Sequence, residues 1–159
     1  MLNPTMSPIL LAQDDGAEPD ATDQVLKLQR RTADALAGYR TMVEKADPAF
    51  RPVAERFCDL HNRHNNALTA MLVRFGQEPE ADGTFMATVN QAIISMRALF
   101  DDIDDGIMDN IRSGENHVLE GFDEAIDDAG LAPGDRQELR DMRDELTLVL
   151  QDTRDPNRP

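Results

Sequence analysis

Two histidines stand three residues apart in His61-Asn62-Arg63-His64, and one glutamate, Glu115, falls on an otherwise apolar helical stripe. Imidazole and carboxylate are the ligand types of a facial metal triad, so His61, His64 and Glu115 are the candidate metal ligands, and iron or zinc would suit them. Cys58 lies three residues before His61, close enough for a thiol–imidazole pair, but no third residue is in place to orient the imidazole. As the single cysteine it can form neither an internal disulfide nor a thiolate cage. Residues Asp101–Asp128 carry eleven acids against Arg112 alone. A calcium loop with Gly106 at its sixth position would need oxygen ligands at the third and twelfth, where Ile103 and Arg112 stand. The acidic run therefore reads as a solvated helix face, opposed to a first helix in which five basic residues meet three acids.

The chain that must position these residues has 159 of them, with 40% apolar content, enough for one core and one domain. Sixteen Lys and Arg against 31 Asp and Glu leave a net charge of −15. Nucleic-acid and anionic-lipid surfaces are bound through cationic contacts, so neither class of partner is expected. No apolar run approaches the ~20 residues of a membrane span. The apolar stretch Pro8–Ala12 is short, and no Lys or Arg precedes Lys27, so a signal peptide is not indicated. Residues 1–20 are expected to be a disordered acidic tail on a cytoplasmic protein, 21–150 a helical bundle, and 151–159 a second disordered tail.

Between the tails the apolar period is helical and β-branched alternation is absent, so the fold class is all-α. Val25, Leu28, Thr32, Ala35, Tyr39, Met42 and Ala46 stripe a first helix, which Asp47-Pro48 ends. Val53, Phe57, Leu60, His64, Ala67 and Met71 stripe a second, opened by Pro52 and stopped by Gly76. A shorter crossover helix is expected over about Thr84–Phe100. A third long helix carries Met108, Ile111, Glu115, Val118, Phe122, Ala125 and Ala129. Asp135 is expected to cap a last helix through Leu139, Met142, Leu146 and Val149.

The stripes repeat at an offset of 83 residues: Val25 matches Met108, Thr32 Glu115, Gly38-Tyr39 Gly121-Phe122, and Ala46 Ala129. With a one-residue shift, Phe57 matches Leu139 and His64 matches Leu146. The chain thus reads as two duplicated helical hairpins joined by a long crossover, the ferritin-like arrangement of a four-helix bundle. The order of Gly38-Tyr39, Phe57 through His64, the turn Phe75-Gly76-Gln77-Glu78-Pro79, and Gly114-Glu115 ahead of Phe122 resembles a bacterial ferritin-like family of unknown function over about Thr22 to Leu150. The resemblance implies a bundle related to ferritins and rubrerythrins and no established activity.

Ferritin-like carboxylate centres take one Glu from each of two helices and Glu-x-x-His from each of the other two. Equal counts from the hairpin turns put Thr32 and His64 at one height, and Glu115 and Leu146 bear the same relation to the second turn. Thr32 stands where a Glu is wanted, His61 replaces the Glu of Glu-x-x-His, and Arg143 and Leu146 occupy the last pair. Three ligands of six remain. The expected alternative to a metal is a buried polar network in which Glu115 meets Arg143 and His64, with the Thr32 and Tyr39 hydroxyls nearby.

Three functions follow as expectations. The first is a non-catalytic, stress-associated or self-assembling bundle in which the metal site has become a structural network. The second is a metal-dependent oxidase or iron-handling protein using the reduced site. The third is a protein-interaction module acting through the crossover helix, whose Phe85, Met86, Val89, Ile93, Ile94, Met96, Leu99 and Phe100 cover more than one face. That excess predicts a homodimer in contact through this helix.

Overall fold

The computed structural model describes residues 20–77 and 107–153, which form four helices: α1 (Ala21–Lys45), α2 (Arg51–Arg74), α3 (Ile107–Asp127) and α4 (Pro133–Asp152). No strand occurs among the described residues. The crossover helix expected at Thr84–Phe100, the dimer contact assigned to it and the N-terminal tail lie outside the described residues.

Local chemistry sets the helix ends. The Asp47 carboxylate accepts the backbone N–H groups of Ala49 (2.9 Å) and Phe50 (2.8 Å), which turns the chain from α1 into α2. Pro52 then sits in the first turn of α2, where a missing N–H costs nothing. At the other end Gly76 adopts φ +82°, a left-handed conformation favoured by glycine. The Gly76 N–H donates to the Val73 carbonyl (3.0 Å) and the Gln77 N–H to the Leu72 carbonyl (3.0 Å), closing the helix as a Schellman turn. Between α3 and α4 the Arg136 guanidinium donates to the carbonyls of Ile126 (2.7 Å) and Asp128 (2.8 Å), filling acceptors that the end of α3 leaves open.

Two boundaries differ from the sequence expectation. Helix α4 begins at Pro133 with Ala132 preceding it, so Asp135 lies inside the first turn, where it accepts from Arg74 (2.8 Å) instead of capping. Proline at the start pre-sets the helical φ and makes a side-chain cap dispensable. Helix α3 ends at Asp127, which leaves Ala129 exposed rather than on the stripe.

Helix α1 packs on α2 and α3, while α4 packs on α3 and α2. Arg56–Asp152 contacts at one end and Arg74–Asp135 at the other make α2 and α4 antiparallel. Helix α3 is antiparallel to α4, so α2 and α3 run parallel on a diagonal of the square. The end of α2 and the start of α3 therefore lie at opposite ends of the bundle, separated by about the 36 Å length of the 24-residue α2.

The core follows the stripes. Val25, Leu28, Phe57, Leu60, Met71, Val118, Phe122, Leu139 and Leu146 are buried. Among the described residues five polar side chains are buried with them: Thr32, Thr41, His61, His64 and Glu115.

Candidate functional site

The middle of the bundle is polar. Glu115, on α3, is 1% exposed, and both of its oxygens are engaged. The Tyr39 hydroxyl, from α1, donates to Oε1. His61 Nε2, from α2, lies 2.9 Å from Oε1 and 3.1 Å from Oε2. Among the described residues His61 Nδ1 has no partner, and it is buried. An unpaired lone pair costs less than an unpaired N–H, so the hydrogen-bond pattern assigns the proton to Nε2, which donates to Glu115.

A column of rings holds this trio. Tyr39 stacks between Phe57 (5.0 Å between centroids) and His61 (5.4 Å). His61 meets His64 edge-on at 6.4 Å, and His64 meets Phe122 edge-on at 5.9 Å. Offset and edge-to-face contacts are the favoured geometries of aromatic pairs, and they fix the imidazole planes. Burial, then the Glu115 charge and hydrogen bond, push the Tyr39 phenol well above its ordinary pKa, so it remains a donor.

His64 belongs to a second, outward-facing group. Its Nε2 lies 3.0 Å from Glu145 Oε2 on α4, while Arg63 donates to the other oxygen. Burial lowers the His64 pKa against the raising effect of the Glu145 hydrogen bond. Burial pushes the Glu145 carboxyl up, but the hydrogen bonds from His64 and Arg63 outweigh it and hold the group below its ordinary range.

The structure thus brings His61 together with Glu115 and directs His64 elsewhere. It corrects the expected network in three places. Arg143 does not reach Glu115; it donates to Asp123 Oδ1 at 2.6 Å, on the half-exposed flank between α3 and α4. That geometry leaves the guanidinium partly hydrated, whereas drawing it into the core would desolvate a second ion. Thr32 is fully buried, but its hydroxyl turns back to the Leu28 carbonyl (3.0 Å), the usual intrahelical outlet for threonine. His64 pairs with Glu145, not with Glu115.

Direction along the helix explains the change of partners. Side chains lean toward the N-terminus of their own helix. Because α1 and α3 are antiparallel, Thr32 and Glu115 lean apart, and Glu115 meets Tyr39, two turns further along α1. Glu145 is the site residue that the sequence reading missed. It lies one position before Leu146, on the flank facing α2 and off the apolar stripe of α4.

The donor set does not fit a two-metal carboxylate centre: Thr32, Arg143 and Leu146 supply no ligand, and Glu115 is already taken up by protein donors. Among the described residues, no three His, Cys, Asp or Glu side chains form a group that could hold a metal ion. A groove of about 460 Å³ between α2 and α4 touches Leu60, Arg63 and Glu145 but not Tyr39, His61 or Glu115. Burial pushes the Cys58 thiol up, aided by the Asp59 and Glu55 carboxylates and opposed by Arg40, so the thiol form dominates there.

No described helix is long and apolar enough to cross a membrane. Comparison with curated proteins and with solved structures finds no match. A family model described as a domain of unknown function, DUF2383, matches residues 20–128, which cover α1, α2 and α3 and well over half of the chain. The buried Tyr39–His61–Glu115 trio lies inside that match, and the chain belongs to this family of unknown function.

Proposed function

We propose that this protein is a non-catalytic, ferritin-like bundle in which a hydrogen-bonded network occupies the place of a carboxylate metal centre. One observation carries the reading: the buried Glu115 carboxylate accepts from two protein donors, the Tyr39 hydroxyl at Oε1 and His61 Nε2 shared between both oxygens. A carboxylate buried in an apolar interior must be compensated, and a metal ion is one way of doing so. Here a phenol and an imidazole do it, each already locked in a ring stack. The long connection between parallel helices α2 and α3 supports the ferritin-like arrangement.

The test is metal content. Protein from cells supplied with iron and zinc, purified without chelator, is expected to carry less than ~0.1 metal per chain and to melt at the same temperature with or without EDTA. Stoichiometric iron or zinc, removed by EDTA and lost in His64→Ala, would overturn the proposal. It would establish His61, His64 and Glu115 as ligands of an iron-handling or oxidase site.

A further inference from the structure

We infer that the α2–α4 seam is the edge along which this bundle opens, a latch set by ionic strength. The four seams of the square are unlike. Helix α2 packs least closely on α4, and the groove between them has Leu60, Val149 and the exposed Leu148 for its apolar lining. Beside the His64–Glu145 hydrogen bond, a row of ion pairs with one polarity joins the two helices: among the described residues every arginine comes from α2 and every carboxylate from α4. Arg56 meets Asp152 (2.6 Å), Arg63 meets Glu145, and Arg74 meets Asp135 and Glu138 (2.8 Å each). The sequence carries the pattern, since Glu138, Glu145 and Asp152 are spaced by seven, as are Arg56 and Arg63, so the same flank recurs every two turns.

The row reflects a wider asymmetry. Residues 21–74 hold nine basic and six acidic side chains, whereas residues 107–152 hold four basic and thirteen acidic. The arginines of the pairs are about half-exposed, so salt screens them. Beneath the seam sits His64, whose Nδ1 is buried without a partner among the described residues. Opening lets water reach that nitrogen and returns a hydrogen bond that the closed state lacks, which lowers the cost of separation. Sparse packing, screened ion pairs and an unpaired buried nitrogen all fall on this one edge.

Thiol labelling of the full-length chain tests the latch. In a Cys58→Ser background, Val149→Cys places a near-isosteric probe on the seam, and Val118→Cys places one on α3 as a control. Raising salt from about 0.05 to 0.5 M is expected to accelerate labelling at Val149→Cys two- to fivefold, the effect of weakening one or more exposed pairs, with no acceleration at Val118→Cys. Global relief of acidic self-repulsion would slow both probes instead, so the signs differ. Arg56→Asp should accelerate labelling of the Val149→Cys probe at low salt, and adding Asp152→Arg should restore the slow rate. If Arg56→Asp fails to fold, the salt titration of the intact seam decides. Salt-independent labelling at Val149→Cys, or equal acceleration at both probes, would overturn the inference.

Discussion

Replacing Glu115 by leucine puts the central network to its most direct test. The substitution leaves two donors, the Tyr39 hydroxyl and His61 Nε2, facing an apolar side chain at positions 4% and 0% exposed. Each stranded donor costs ~1–3 kcal/mol, so Glu115→Leu is expected to destabilise by ~2–5 kcal/mol after the gain from apolar packing. Tyr39→Phe deletes one hydrogen bond to a charged acceptor and leaves the other, a loss of ~1.5–3 kcal/mol. The double variant strands only His61 and should cost ~1–3 kcal/mol, well below the sum of the singles. The coupling between Tyr39 and Glu115 is then ~2.5–5 kcal/mol. Replacing His61 by phenylalanine as well removes the last polar member and should recover much of the loss, as when a whole buried polar cluster is exchanged for apolar groups. Urea denaturation at pH 7.5, with the slope m unchanged across the set, reads all four variants. A Glu115→Leu chain within ~0.5 kcal/mol of the parent, or a double variant additive within that margin, would refute the claim that these side chains form one unit.

Phe122, fully buried against the His64 edge, should cost ~3–5 kcal/mol as Phe122→Ala in the same urea assay. Stability should fall as pH drops from about 7.5 to 5.5. The folded state holds the His64 pKa below the unfolded value of 6.5, so the unfolded chain takes up the proton first. Glu145, held low in the folded state, loses its contribution in the same direction at lower pH. His64→Gln should flatten the urea-midpoint profile near pH 6, and an unchanged profile would contradict the assignment. Gly76→Ala forces an L side chain into φ +82° and should lower stability by ~1 kcal/mol, visible as a drop in melting temperature.

The stripes were legible because a helix that buries one face must repeat its apolar residues at the helical period. Val25 to Met42, Phe57 to Met71, Ile111 to Ala125 and Leu139 to Val149 all lie where that period puts them. The boundary at Pro133 was missed because Asp135 three residues before Glu138 imitates a capping box, while proline supplies the same start by its fixed φ. Three of the five buried polar residues were equally readable, since Thr32, His64 and Glu115 interrupt apolar stripes, whereas Thr41 and His61 lie off them. Which of them would touch was not. Equal counts from a turn give equal heights for Cα atoms, but side chains on antiparallel helices lean in opposite directions along the bundle. That divergence parts Glu115 from Thr32 and aims it at the Tyr39 hydroxyl, which the expected network also placed nearby.

The same reasoning decides how the buried Glu115 carboxylate is compensated. Arginine is the obvious counter-charge, and Arg143 stands on the adjacent helix, yet it stays with Asp123 at the rim. Pulling it inward would desolvate a guanidinium and strand several of its donors, whereas Tyr39 and His61 bring one donor each on rings that are apolar elsewhere. The stacked column from Phe57 to Phe122 is therefore both the packing of the mid-bundle core and the scaffold of its polar network. A substitution in the column that removes a ring but keeps most of its apolar volume, such as Phe57→Leu, should loosen Tyr39 and weaken its coupling to Glu115 even though it touches neither oxygen. The cycle of Tyr39→Phe with Glu115→Leu, repeated in the Phe57→Leu background, measures this. A coupling equal to that in the parent would mean that the hydrogen bonds hold the rings, and not the rings the hydrogen bonds.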